Sequence, residues 1–260
     1  MDIYWIYDLP NWQFAFLCIS FFVIFSMAGL IAFRRFIQQK VILQAHNDVV
    51  SFFMAGMNAI YGITLGLIAV GAWENFGAID NNVSQEASAI AAFYQDTRPM
   101  PVAFGDSLRA QMKEYVRYTI QDAWPKQRQG ILPHGGTQRL TAVQMTLSKY
   151  EPTTKNQEIN LAEAYKQFNN IIQLRRVRLQ NVTSGLPAAI WYVILFGALL
   201  NIMINWFFVT DKFRVHLLMT TFFAALLGSL VFLVAAMDNP FRGELSISSE
   251  AFEVIYENMK

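Results

Sequence analysis

Ser51, Ala55, Asn58, Gly62, Gly66 and Ala69 recur at steps of three and four residues, in a stretch free of Asp, Glu, Lys and Arg from 49 to 73. On an α-helix that spacing gathers them near one face. Phe52, Phe53, Met57, Ile60 and Leu67 fall largely elsewhere. A small, slightly polar face has two uses in lipid. Small residues let helices approach closely, and Gly62-Ile-Thr-Leu-Gly66 is a GxxxG pair. The same face could line a water path around an oligomer axis, where Ser51 and Asn58 would offer dipoles to a partly dehydrated ion. Residue types leave both uses open. Phe53 and Met57 are candidate gate residues, closing such a path by dewetting if either turns inward.

His46-Asn47-Asp48 opens the same stretch. A metal site would need more ligands, yet His134 and His216 lie far along the chain and nothing stands at zinc spacing. Asp48 is expected to cap the second apolar helix, its carboxylate accepting free amide hydrogens and complementing the dipole. The alternative is ion binding or proton sensing through His46. Asn201 and Asn205, one turn apart, either hydrogen-bond a neighbouring helix or face a path. Hydrolytic chemistry has little support: there is no nucleophile elbow, HExxH, Walker sequence or pair of intramembrane carboxylates. "QGILPHGGTQ" lacks the Lys-Ser/Thr ending of a phosphate loop and reads as a connection. The lone Cys18 reads as an apolar filler. Neither catalysis nor a cofactor is expected.

The elements that must position these residues follow from composition. The 260 residues are 54% hydrophobic and 15% charged, whereas soluble domains carry about 25% charged residues. The hydrophobicity is concentrated at 12–33, 49–73, 187–209 and 215–237, four runs without a charged residue. Each exceeds the roughly 18–20 residues needed to cross a bilayer, and inside lipid only helices and closed barrels satisfy their backbone. The expectation is an all-α integral membrane protein: four transmembrane helices in two hairpins, with an inserted helical domain. The first run is preceded by acidic "MDIYWIYDLPN" and is too long for a cleaved signal peptide. Trp5, Tyr7 and Trp12 suit an interfacial aromatic belt. A net charge of +1 gives no footprint for nucleic acid.

Five segments result: 1–48 with the first span and a short basic loop, 49–73 the second span, 74–186 a water-exposed helical domain, 187–237 the third and fourth spans, and 238–260 a tail with a short helix. Phe76, Ile79, Val83, Ala87, Ile90 and Tyr94 continue an apolar stripe beyond the second span, predicting an unbroken stalk to about Pro99. Further helices are expected from an Asp106 cap to just before Pro125, from Thr137 to near Pro152, and from Lys155 until Gly185 and Pro187 break the segment, which carries Ile159, Tyr165, Phe168, Ile172 and Val182. Arg34, Arg35, Lys40, Lys212 and Arg214 sit in the two short loops. The positive-inside rule then puts those loops in the cytoplasm and the helical domain outside; Arg175, Arg176 and Arg178 argue the other way but lie in a long loop, which weighs little.

"YDLPNW", "AHNDVVSFF", "LIAVGAWENF", "EASAIAAFYQD" and "MDNPFRGELSISSEAF", in this order, resemble the bestrophin-like membrane family, found mostly in bacteria. The resemblance is spread over nearly the whole chain, with only general helical character from 104 to 170. It implies a distant relation to bestrophins, pentameric anion channels with four membrane helices per subunit and a pore lined by the second. Lipid, sister copies in a homo-oligomer and inorganic ions are the partners implied, and a bacterial inner membrane the location. Two departures stand out. Bestrophins keep their termini in the cytosol, opposite to the loop charges here, and their neck is bulkier than the Asn58, Gly62 and Gly66 face. The alternative is a membrane-anchored helical binding or signalling module.

Overall fold

The computed structural model describes residues 3–38 and 46–259; Lys40, one of the basic loop residues, lies outside them. Among the described residues every regular element is helical. α1 is Asn11–Phe33, α2 Asn47–Asp96, α3 Val102–Tyr118, α4 Trp124–Arg128, α5 Gly135–Leu147, α6 Lys155–Gln180, α7 Ala188–Trp206, α8 Phe213–Asp238 and α9 Glu250–Asn258. α1, α2, α7 and α8 are long and apolar enough to cross a membrane, which makes this a multi-pass membrane protein. Two compact units result, 1–74 with 186–238 and 75–185 with 239–260.

Prolines mark the starts. Pro10, Pro101 and Pro187 each directly precede a helix, where a fixed φ and a missing N–H cost nothing. α3 therefore starts at Val102, and Asp106 stands inside it paired with Arg109, correcting the expected cap. Nor does Pro125 end the helix. A wider π-type turn over Thr119–Ala123 precedes it and α4 runs on to Arg128, giving the proline ring the room a regular turn denies it. α5 begins at Gly135 instead of Thr137 and ends at Leu147. Thr154 caps α6, its Oγ1 accepting from the Gln157 N–H at 3.3 Å, while Gln157 Oε1 accepts from the Thr153 N–H at 2.8 Å. This reciprocal bonding satisfies one amide that the first turn leaves unpaired and the amide just before the cap.

In the membrane unit the most extensive helix contact joins α1 to α8, the first and last spans, which run antiparallel. Tyr7 Oη donates to the Ala235 carbonyl at 3.0 Å, and Phe14 meets Phe232 edge to face at 5.2 Å. The close approach needs Gly228, whose missing Cβ would lie 2.9 Å from the Ile19 Cα. Gly29 lies against the Trp206 ring and Gly197 against the Tyr61 ring in the same way. Phe22, Tyr61, Leu65, Ile194, Ala198, Ile202, Leu227 and Val231 fill the core.

In the helical unit the expected stripe on α2 does face the core: Ile79, Val83, Ala87, Ile90 and Tyr94 are buried, with Phe76 packed beside them. α3 adds Leu108, Met112 and Val116, α5 adds Leu140, Val143 and Leu147, and α6 adds Ala164, Phe168 and Ile171. Of the apolar residues singled out along this segment, Phe168 and Val182 are buried and Tyr165 packs beside the core, whereas Ile159 and Ile172 are exposed. The C-terminal stretch inserts Phe241, Ile247, Phe252 and Met259 into this core.

Candidate functional site

Of the four spans, α2 is the least buried within the chain: 11% of its apolar stretch, against 22%, 28% and 33% for α1, α7 and α8. It packs through Tyr61, Leu65 and Ala72, with the Tyr61 hydroxyl donating to the Ile194 carbonyl at 2.9 Å. Its other sides are open. A Cβ added at Gly56, Gly62, Gly66, Gly71 or Gly77 would meet nothing within 4 Å. The glycines of α1, α7 and α8 are used inside the chain; those of α2 are not.

The six residues of the expected face divide. Ser51, Ala55, Gly62 and Gly66 are exposed. Asn58 and Ala69 turn toward the packed seam and are half-buried, and the Asn58 Oδ1 is enclosed without a hydrogen-bond partner among the described residues. Phe53 is exposed and Met57 half-buried. The hundred degrees between successive residues carry Asn58 past the edge of the face that Gly62 and Gly66 share.

Asn47 has a structural role. Its Nδ2 donates to the Val209 carbonyl at 2.6 Å and its Oδ1 accepts the Val209 N–H at 2.9 Å, gripping the connection between α7 and α8. His46 is exposed beside it, and Asp48, also exposed, is the second residue of α2, where its charge suits the dipole without occupying the cap position. Asn201 and Asn205 donate to carbonyls of their own helix, Gly197 at 2.8 Å and Asn201 at 2.9 Å. Their amide nitrogens thus bridge no neighbouring helix. Among the described residues no three of His, Cys, Asp and Glu gather where a metal could bind.

A second polar constellation escaped the sequence reading. In the helical unit, Arg178 (1% exposed) meets Glu86 (0%) side-on, with Nε to Oε2 at 2.7 Å and Nη2 to Oε1 at 2.9 Å. Arg178 Nη1 also donates to Gln127 Oε1 at 2.9 Å, and the Tyr115 hydroxyl donates to Glu86 Oε1 at 3.0 Å. The guanidinium carbon lies 5.4 Å from both the Trp124 and Phe252 ring centres. Burial disfavours the arginine's charge, but the facing Glu86 outweighs this and holds its proton more firmly than usual. Burial, then the Glu86 charge, pushes the Tyr115 hydroxyl well above the ordinary phenol range. A signal was available: Glu86 stands among Val83, Ala87 and Ile90 on the inward stripe, where a carboxylate requires a cation.

Comparison with known proteins places this architecture. A family model described as the Bestrophin-like domain matches residues 20–252. Among curated proteins none matches the chain. Crystal structures of a bacterial bestrophin homologue from Klebsiella pneumoniae share the fold. A leucine-to-threonine variant is 13% identical with a TM-score of 0.69, covering 94% of this chain and 97% of its own. A tyrosine-to-alanine variant is 12% identical with a TM-score of 0.70, covering 94% and 96%. With four membrane-length helices, an inserted helical unit and a family match over most of its length, the chain belongs to the bestrophin-like family.

Proposed function

We propose that this protein is an oligomeric, channel-like membrane protein in which α2 of each copy lines an ion path. The observation that carries the reading is the unused glycine face of α2: helix-packing residues that pack against nothing in their own chain. Family membership supports it, since bestrophins are channels. Ser51, Gly62 and Gly66 face the path, Asn58 stands at its edge, and Phe53 or Met57 narrows it. A pentamer is the stoichiometry the family resemblance favours, and no catalytic step is assigned to the chain. His46 and Asp48, exposed at the start of α2, stand beside one mouth of the path.

The direction of insertion rests on charge. Arg34 stacks on the Phe213 ring at 4.8 Å, so the two short connections meet at one end of the bundle and bring Arg34, Arg35, Lys212 and Arg214 together there. That end faces the cytoplasm of a bacterial inner membrane, and the helical domain leaves from the other, outer side.

Conductance tests the path. Purified full-length protein in planar bilayers carries current, and Gly62→Ile or Gly66→Leu cuts it several-fold, while subunit folding is kept because nothing in the chain occupies that space. Absence of wild-type current across ions and voltages, or full current in both variants, would overturn the reading.

A further inference from the structure

Toward the end where α7 turns into α8 the core of the membrane bundle gains polar groups. Among the buried Phe22, Leu30, Ala198, Ile202 and Leu227 stand Ser26 on α1, Asn201 on α7, and Thr220 and His216 on α8. These four residues are 0%, 2%, 1% and 5% exposed. Each carries a buried polar atom without a partner among the described residues: Ser26 Oγ, Asn201 Oδ1, Thr220 Oγ1 and His216 Nδ1. The enclosed Asn58 Oδ1 on α2 is the fifth.

Helix register puts them together. Cys18 Sγ contacts the Gly228 carbonyl at 3.4 Å, and Ser26 and Thr220 each lie eight residues further toward the same end of the antiparallel pair. His216 Nε2 bonds the Asn205 carbonyl at 3.0 Å, and one turn on from each stand Thr220 and Asn201. The Trp206 Nε1–H donates to the Ser26 carbonyl at 3.1 Å, tying α7 to the same level. Tyr61 and Asn47 fix α2 antiparallel to α7, which leaves Asn58 about one turn from Asn201.

Orphaned polar groups in a bundle surrounded by lipid cost free energy each. Four helices placing them at neighbouring levels point to a shared partner from outside the chain. Its chemistry follows from theirs. A carbonyl only accepts, so His216 Nε2 carries the hydrogen and Nδ1 of the neutral ring is an acceptor. The two asparagine oxygens also only accept. The partner must therefore donate hydrogen bonds. No carboxylate stands among these groups, so a buried cation would be uncompensated. We infer that this end of each subunit's bundle is a water-binding site, in which ordered water bridges Ser26, Asn201, Thr220 and His216 and reaches toward Asn58. Bridging water is the usual solution where buried polar atoms sit beyond direct reach of each other. The site lies inside one subunit and stands independently of any path along α2.

The sign of a stability change tests it. Thr220→Val and Ser26→Ala keep the shape but remove a hydroxyl. If water is held, each single substitution in the full-length protein in detergent deprives it of a partner and lowers the melting temperature, by about 2–4 °C for a loss of one hydrogen bond. An unchanged or raised melting temperature would mean that the hydroxyls sit dry, and overturns the inference. Electron cryomicroscopy of the wild type in nanodiscs is the second measurement. Rounded density within hydrogen-bond distance of Asn201 Oδ1 and Thr220 Oγ1 in sodium-free buffer is expected. Side chains closing directly on one another, or density that appears only with added sodium, overturns the assignment to water.

Discussion

Glu86 and Arg178 carry the largest concentration of buried charge in the helical unit, and their value depends on both being present. A buried ion pair gains little over apolar packing, because desolvation offsets the attraction, but a lone survivor is left uncompensated. Arg178→Ala is therefore expected to destabilise the helical unit by about 3–5 kcal/mol. The double variant Glu86→Leu/Arg178→Met should recover most of that loss, as read from denaturant unfolding of the full-length protein. Equal damage from the single and double changes would mean that the pair's hydrogen bonds to Tyr115 and Gln127, not its charge balance, hold the core. These residues were half-legible in the sequence. The carboxylate was visible on an inward stripe, but its partner lies 92 positions away, a separation no local pattern encodes.

At the scale of elements, glycine does opposite work in different helices. At Gly228 a methyl group would meet the backbone of Ile19, whereas at Gly77 it would meet nothing within 4 Å. Gly228→Ala should thus lower the melting temperature by forcing α1 and α8 apart. Gly77→Ala should raise stability by about 0.5–1 kcal/mol through helix propensity alone. Circular dichroism on heating reads both, and a loss of stability at Gly77 would mean that a second chain packs there. The spans themselves were plain in the sequence, because freedom from charge over twenty residues is a strong pattern. So was the long stalk, since no breaker separates 73 from 96. The inward face of α6 and the start of α3 were less plain. Ile159 and Ile172 are as apolar as Ile171, and only the neighbours decide which one is covered. The continuation through Pro125 depended on a widened turn that residue types do not announce. The division of the α2 face, with Asn58 turned inward, depended on where α7 lies.

For the whole molecule, the end-to-end asymmetry of charge is the property with the clearest consequence. Arg34, Arg35, Lys212 and Arg214 mark one end of the membrane unit, while Asp8 precedes α1, Glu74 follows the uncharged stretch of α2 and Asp238 ends α8. With Cys18 replaced by Ala, a cysteine introduced at the exposed Ser107 should react with an impermeant maleimide in intact spheroplasts. Reaction only after permeabilisation would place the helical domain in the cytoplasm and show that the arginines of α6 outweigh the short loops.

The last stretch of the chain, with Phe241, Ile247, Phe252 and Met259 seated among α2, α3 and α4 in the helical unit, also fixes an order of events at birth. While the ribosome is still making α8, the earlier parts of that unit have already emerged but lack four of the side chains that close them. Their apolar interior must wait, unsealed, until the final span has been threaded and the residues behind it released. Biogenesis of this protein is therefore a problem of timing, in which whatever escorts the nascent polypeptide has to shield the waiting half until its own C-terminal plug arrives.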